Sequence, residues 1–542
     1  MRRPGIIIVE PEQGGRLEIH SADEAAALSG ILSAHECPLN TRCGERGLCR
    51  GCEVVVKQGS LVVDRAVVSA PAAVRACRAR LRGPVTIVVP QRSRIEHKPQ
   101  VGETFEIAVP YAHDPLFPAH GTRDTGFAVD IGTTTVVVLL VDLANGEILS
   151  RAGGFNAQIR FGDNVLTRID AGRSPEAVAA MQAAVVSETL APLLLQACES
   201  AGRGPHRIAG GTIAGNTTML HLLVGADPTP LGIAPFTARF LAGRKLTTGE
   251  IGLAVDGLPT DTPIQILPSI AAYIGADITA GALATGMIFD EAPSLLVDIG
   301  TNGEIILQHG GRLTACATAA GPAFEGSGLK CGTRAREGAI SDLILSLDPF
   351  DIRAEVIGGI PLSRASGICG SAYIDFLATA RGAGLLGNAG RFVNATWDAI
   401  PEAHRQCDDD GRALRLGNSN GPFISEVDVA LLLQAKAAIG AGIETLLETA
   451  GIRADEISQL YLAGGFGMHL DVPHAIACGL LPGFKPEQVR VVGNTSLAGA
   501  LLALIDRNTL DEMETLRERV EVIELNLVAD FEDRYIEHLM LP

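Results

Sequence analysis

The sequence predicts an α/β protein in two parts, a small mixed sheet with one helix at the start and then two α/β lobes built alike. Three observations carry this expectation. Cysteines crowd a glycine-rich loop near the start, a strand–turn–strand motif occurs twice 168 positions apart, and a strand near residue 460 ends in consecutive glycines. The chain has 542 residues, and at roughly 100–200 residues per domain that length asks for about three or four domains.

Hydrophobic residues make up 47% and charged residues 20%, as in ordinary globular domains, which excludes wholesale disorder. Lys and Arg number 44 against 62 Asp and Glu, a net charge of −18, so a nucleic acid would meet repulsion instead of the basic footprint it needs. The apolar stretch 5–9 stops at Glu10, short of the roughly 7–15 residues of a secretory core. The runs 136–141 and 497–505 fall below the roughly 20 residues of a membrane span. The expectation is a cytoplasmic protein without membrane or nucleic-acid partners.

Five of the 11 cysteines, Cys37, Cys43, Cys49, Cys52 and Cys77, precede residue 78, and a reducing compartment argues against disulfides. Cys43, Cys49 and Cys52 form C-x5-C-x2-C, with Cys77 a further 25 positions on. Plant-type 2Fe-2S ferredoxins use C-x4-C-x2-C and a distant fourth cysteine, so the first gap here is one residue longer. Gly44, Gly47 and Gly51 let the loop curl. The flanks read as strands at 6–9, 16–19, 53–57, 60–63 and 85–90, with a helix over about 22–33. Residues 1–92 thereby resemble the β-grasp fold of 2Fe-2S ferredoxins, with Cys43, Cys49, Cys52 and Cys77 as ligands. A zinc site at Cys49-x2-Cys52 with His35 nearby is the rival, though no second ligand pair follows. Cys37 reads as a partly buried thiol, and the cysteines at 198, 316, 331, 369, 407 and 478 as core residues. Residues 1–92 carry 13 Lys or Arg and 9 Asp or Glu. Arg42, Arg46, Arg50, Arg75, Arg78, Arg80 and Arg82 cluster near the proposed ligands, either as a docking face or for solubility alone.

Proline-rich residues 93–125 read as a linker. Beyond it, Phe127-Ala128-Val129-Asp130-Ile131-Gly132-Thr133-Thr134-Thr135 runs into an apolar strand, and Leu295-Leu296-Val297-Asp298-Ile299-Gly300-Thr301-Asn302-Gly303-Glu304 repeats the pattern. A repeat of this kind implies two similar lobes. Glycine at each turn admits a phosphate close to the backbone, amides and Thr hydroxyls can donate to it, and the Asp can hold a hydrated Mg²⁺. Leu462-Ala463-Gly464-Gly465-Phe466-Gly467 ends a strand where a flat ligand can pack on backbone. Strand–loop–helix junctions at 213–218 and 492–496 can turn helix amides toward an anion. Helices are expected over 175–201 and 425–450.

This set resembles the ASKHA superfamily of acetate and sugar kinases, heat-shock 70 proteins and actin, over residues 126–542. The resemblance implies two ribonuclease-H-like lobes closing on Mg-ATP. By it, Asp130, Gly132, Thr133 and Thr134 form the first phosphate motif, Asp298, Gly300, Thr301 and Asn302 the second, and Gly464, Gly465 and Phe466 the adenosine motif. Asp130 and Asp298 are the candidates for orienting a hydrolytic water. The expected boundaries are a ferredoxin-like domain at 1–92, a linker at 93–125, a first lobe segment at 126–208 and an ATPase domain at 209–542.

The fusion as a whole is similar to the reductive activators of corrinoid proteins, which return the cobalt of a methyl carrier from Co(II) to Co(I). That resemblance implies a corrinoid carrier as partner, an external low-potential donor, and a homodimer. The transfer runs uphill, because a plant-type cluster sits near about −400 mV and Co(I) is a stronger reductant. Each tenfold in equilibrium corresponds to about 59 mV, so ATP-driven closure is expected to favour the reduced cobalt state. Three alternatives stand beside it. They are a small-molecule kinase with a redox-sensing ferredoxin domain, an activator of 2-hydroxyacyl-CoA dehydratases, and an actin-like or chaperone-like binding module. Gly321–Gly326 and Gly367–Ser371 read equally as ligand loops or as plain turns.

Overall fold

A computed structural model describes residues 5–11, 17–21, 25–35, 37, 39, 47, 52–90, 93, 105–162, 164–326, 328–333, 335, 337–408, 411–417, 421–467 and 470–542. Two compact units emerge, one of residues 1–161, 169–290 and 495–519, the other of 162–168, 291–494 and 520–542.

The first unit opens with a five-stranded sheet in the order Leu17–Ser21, Gly5–Pro11, Val85–Val89, Glu53–Gln58, Ala72–Arg75. Its first and last long strands run parallel, Ile7 beside Val85 and Pro11 beside Val89, and their outer neighbours are antiparallel. Such a parallel pair needs a crossover. Helix Leu28–Ser33 lies in that crossover and buries Leu28, Ile31 and Leu32 in a core shared with Ile7, Val54, Val56 and Ile87. Spacing of i, i+3, i+4 puts those three side chains on one face. The observed helix begins at Leu28, and residues 22–24 lie outside the described set. Ser60–Val63 forms as expected, in a second small sheet with Ala66–Ser69 and Ala79–Leu81.

The linker expected at 93–125 is corrected over 105–124. Phe105, Ile107, Val109 and Tyr111 alternate into the lobe core, each at most 3% exposed. Ala108 N–H donates to Ala284 carbonyl, and Asp114 and Leu116 N–H donate to Ile505 and Leu504 carbonyls. This is a strand-like strap with period-two burial, whose prolines masked the alternation. Residues 94–104 lie outside the described set.

The lobe sheet of this unit has the order Ile148–Phe155, Thr135–Asp142, Thr125–Ile131, Ile208–Gly215, Pro263–Ile266, Arg244–Thr247. Three antiparallel strands are followed by two parallel to the first. The second unit repeats that order with Arg312–Thr318, Gly303–His309, Ser294–Ile299, Gln459–Ala463 and Val489–Gly493, and adds Val520–Val522 at the edge. The duplication read from the repeated motif is therefore a duplication of topology. The boundary expected at 208/209 moves to 290/291, because strand Ile208–Gly215 pairs with Thr125–Ile131 and completes the first lobe. Its buried, glycine-rich sequence has no alternation that would mark it as an inner strand of that sheet.

Helix Pro175–Val185 continues through a π turn, Val186–Leu190, into Ala191–Ser200. Helix Glu426–Ala450 starts at a capping box between Ser425 and Asp428 and stops at Gly451, whose φ of 69° is left-handed. Such caps satisfy the terminal amides and carbonyls. The 175–200 and 426–450 helices are long and apolar enough to cross a membrane, contrary to the expectation from uninterrupted apolar runs, yet 56% and 78% of their apolar windows are buried inside the protein. Cys198, Cys316, Cys369 and Cys478 are buried as expected, whereas Cys331 is half-buried and Cys407 is exposed.

Candidate functional site

In the first unit the hairpin of the expected first phosphate motif joins Thr125–Ile131 to Thr135–Asp142, Asp130 lying opposite Val137. Gly132 N–H donates to the Thr135 carbonyl over 2.9 Å. A Cβ on Gly132 would lie 2.7 Å from that same oxygen, so the turn closes only around glycine. Behind it, fully buried Asn156 donates from Nδ2 to the Gly132 carbonyl at 3.0 Å and from its backbone to the Thr134 carbonyl at 2.9 Å. A buried amide satisfied in this way holds a loop rigidly, since an unpaired partner would be costly. Thr133 and Thr134 are 6% and 8% exposed.

Ser496, in the first turn of helix Thr495–Ile505, donates to Asp130 Oδ1 at 2.7 Å. Asp277 sits in the first turn of helix Ala276–Ala284, its Oδ1 accepting from Ile278 N–H at 2.9 Å. Burial first, and the charge of Asp130 second, push the Asp277 carboxyl well above the usual carboxylate range, as expected for like charges in a dry setting. The junction at 213–218 reaches this region: Ala214 pairs with Asp130 across the sheet, and Gly275 is pressed so close that a Cβ would meet Asn216 Cα at 2.6 Å.

In the second unit the matching hairpin joins Ser294–Ile299 to Gly303–His309, with Asp298 opposite Glu304. Gly300 N–H donates to the Asn302 carbonyl over 3.0 Å, but a Cβ on Gly300 would have 3.7 Å to that oxygen. The strand bearing the adenosine motif lies parallel beside it, Ala463 next to Asp298. Gly464 has φ of 93°, and a Cβ there would stand 2.4 Å from Ile299 carbonyl and 2.7 Å from Asp298 Oδ1. Only glycine lets the two motifs touch. A Cβ at Gly465 would meet open space, and the Phe466 ring stacks on Phe324 at 5.1 Å. Thr301 Oγ1 donates to Glu325 Oε1 at 2.6 Å.

Each unit thus gathers its own predicted residues. The sequence reading missed Asn156 and Asp277; it placed Ser496 in a strand–loop–helix junction, and Phe324, Glu325 and Gly370 in loops that read equally as ligand contacts or plain turns, and a Cβ on Gly370 would lie 1.7 Å from the Phe324 carbonyl. Gly-Pro-Ala-Phe-Glu-Gly at 321–326 was a usable signal, because an acid between two glycines beside a repeated phosphate motif is an unusual turn.

Of the four proposed cluster ligands, Cys43 and Cys49 lie outside the described residues. Cys52 and Cys77 are 0% and 4% exposed and adjacent, Ala76 N–H donating to the Cys52 carbonyl at 3.0 Å where Glu53 pairs with Arg75. Arg75 donates to the Gly47 carbonyl at 2.8 Å, the Arg78 side chain packs against the left-handed Gly47, and Arg78 also pairs with Asp64. Two of the arginines near the proposed ligands therefore meet Gly47. Among the described residues no group of three or more His, Cys, Asp or Glu is placed to hold a metal.

Residues 125–289 match a family model described as the RACo middle region, and 292–542 one described as the C-terminal domain of RACo, the ASKHA domain. A protein of Eubacterium limosum named corrinoid activation enzyme RamQ is 33% identical over 431 residues, covering 77% of this chain and 70% of that protein. A Methanosarcina barkeri protein named Co(II) methylated amine-specific corrinoid protein reductase is 28% identical over 420 residues, covering 73% and 72%. The solved structure of a reductive activator for corrinoid, iron-sulfur protein is similar over 99% of this chain and 98% of its own, with 29% identity and a TM-score of 0.72. The chain belongs to the RACo family of reductive activators of corrinoid proteins.

Proposed function

We propose that this protein uses ATP to deliver one electron to the Co(II) state of a corrinoid methyl carrier, restoring Co(I). The observation that carries the reading is likeness along the whole chain, cysteine region included, to a reductive activator for a corrinoid, iron-sulfur protein, beside 33% identity to a corrinoid activation enzyme.

The N-terminal sheet is proposed to be a β-grasp ferredoxin domain, since parallel pairing of its first and last strands with a helical crossover is that arrangement. Cys43, Cys49, Cys52 and Cys77 would hold a 2Fe-2S cluster. The fit rests on Cys52 and Cys77, two buried cysteines on neighbouring backbone joined by the Ala76–Cys52 hydrogen bond. When bound, such a cluster supplies a one-electron carrier of low potential. Thiolate ligands persist in a reducing compartment, which supports a cytoplasmic setting.

For the nucleotide, Asp130 and Asp298 would each hold a hydrated Mg²⁺ or orient the hydrolytic water, and the fit is that each carboxylate stands at a strand end beside a glycine turn. Gly132, Thr133 and Thr134 in one lobe, and Gly300, Thr301 and Asn302 in the other, present backbone and hydroxyl groups to phosphate oxygens. Gly464, Gly465 and Phe466 offer a flat surface to adenosine. An external low-potential donor and pairing with a second copy belong to the same reading.

The test has two arms. Anaerobically purified protein should be coloured, with iron and acid-labile sulfide, and Cys52→Ser and Cys77→Ser should each abolish the visible absorption. ATPase activity should rise when a corrinoid carrier is added, and Asp298→Ala should abolish Co(II) reduction followed by cobalamin absorbance. An ATPase indifferent to the carrier together with an unaffected Asp298→Ala would refute the coupling.

A further inference from the structure

The stretch 321–326, which reads from the sequence equally as a ligand loop or as a plain turn, reaches both of the expected nucleotide motifs of its lobe through two consecutive side chains. Glu325 accepts the Thr301 hydroxyl at 2.6 Å, and the Phe324 ring stacks on Phe466 at 5.1 Å with 18° between the planes. We propose that this loop is a fourth element of the nucleotide site, a strut in which Glu325 is a positioning residue for Thr301 and Phe324 a brace for Phe466. The inference rests on the ATP reading and deepens it.

The loop is built stiff. It starts at Gly321 with φ of 74° and ends at Gly326 with φ of 79°, conformations that side chains disfavour. A Cβ on Gly326 would meet Thr333 N at 2.6 Å, and one on Gly332 would meet the Gly326 carbonyl at 2.0 Å. The Phe324 carbonyl lies where a Gly370 Cβ would be, 1.7 Å away, so helix Gly370–Gly382 begins against the strut. Phe324 itself is 1% exposed. A short Glu–Phe pair held at four backbone points cannot shift one side chain without disturbing the other.

The chemistry of Thr301 follows. A hydroxyl has one hydrogen and two lone pairs, and a hydrogen bond to a carboxylate is shorter and roughly twice as strong as a neutral one. With its hydrogen directed at Glu325, Thr301 meets a ligand through oxygen lone pairs, as an acceptor. Phosphate oxygens at this hairpin then rely on backbone N–H groups, and the expectation that the Thr301 hydroxyl donates to phosphate is replaced. The phosphate contact and the adenosine contact of the lobe are set together, because adjacent residues of one strut fix Thr301 and Phe466.

The test is equilibrium binding of ATP to the full-length protein, with thermal midpoints recorded for each variant. Glu325→Ala and Thr301→Val should each weaken ATP binding about tenfold, the equivalent of one charge-assisted hydrogen bond. The double variant should bind about as weakly as either single one, because both remove the same bond. Glu325→Gln keeps an oxygen acceptor and should stay within about threefold of wild type. A structural role alone would lower the midpoints and leave the ATP affinity of each variant at the wild-type value. Should Glu325→Ala not fold, Thr301→Ser, which keeps the hydroxyl, compared with Thr301→Val carries the same decision. Wild-type affinity in Glu325→Ala, or additive losses, overturns the strut. A wild type that binds no ATP overturns the nucleotide reading and the strut with it, which a binding-competent wild type with unaffected variants does not do.

Discussion

The two phosphate hairpins read almost alike, Asp-Ile-Gly-Thr in both, yet they are supported in different ways. The turn at 132–135 is held from behind by buried Asn156, whose side chain donates to the Gly132 carbonyl and whose backbone N–H donates to the Thr134 carbonyl. The turn at 300–302 is tied to Glu325 and abuts Gly464, elements of the proposed nucleotide site. One hairpin is anchored to scaffold and the other to residues of the other proposed nucleotide elements. Identical motifs therefore say where a phosphate can sit, while their neighbours decide which of them can report on the rest of the ligand.

The sharpest way to break this contrast is at the glycines. Gly464→Ala should have the largest effect, losing ATP binding and lowering the thermal midpoint by several degrees, because it combines a left-handed φ with a 2.4 Å contact to Ile299 carbonyl. A single strained residue costs about 1–3 kcal/mol. Gly132→Ala should come next, since its Cβ meets backbone at 2.7 Å, and Gly300→Ala should fold like wild type with 3.7 Å to spare. Midpoints are the readout, because a chain of several domains has no single unfolding free energy. Equal midpoints for the Gly132 and Gly300 variants would erase the difference between the hairpins.

A second variant sharpens the scaffold side. Asn156→Leu leaves the Gly132 carbonyl without its buried donor, a loss of about 1–3 kcal/mol, and should lower the midpoint without changing with pH. Ser496→Ala removes one hydroxyl donor from Asp130 and should cost about 1 kcal/mol, seen as a smaller drop and a weaker dependence of ATPase rate on Mg²⁺ concentration. If Ser496→Ala exceeded Asn156→Leu, the first hairpin would be governed by its carboxylate and not by its turn.

What was legible in the sequence followed from locality. Asp130 and Asp298 sit in hairpins whose strands and turn are contiguous in sequence, at 125–142 and 294–309, so their motif and topology could be read together, as could strand Ser60–Val63 and the capped helix at 426–450. Partners at a distance could not. Ser496 meets Asp130 across 366 positions and Glu325 meets Thr301 across 24, and no pattern joins them before the sheets form. The strap at 105–124 failed for another reason: its prolines were weighed above the alternation of Phe105, Ile107, Val109 and Tyr111. The lobe boundary was misplaced because Ile208–Gly215, buried at every position, has neither polar face nor periodicity to show which sheet it joins.

The smallest expected effect lies on the second hairpin's side and should carry a pH signature that the first lacks. His474, in the short helix after the adenosine motif, bonds Asp375 at 2.7 Å, and Asp375 lies in the helix whose first residue, Gly370, braces Phe324. That bond, ahead of the nearby charges of Asp471 and Asp342, holds the His474 imidazolium above its ordinary value of 6.5. Because the folded value is raised, the pair's stabilisation is complete below about pH 6.5 and fades as pH climbs through the folded value. His474→Gln should therefore lower the thermal midpoint more at pH 6 than at pH 9, while Asn156→Leu shows the same deficit at both. A His474→Gln deficit that stayed constant across that range would mean that the charge on His474 contributes nothing, and that the helix is held by packing alone.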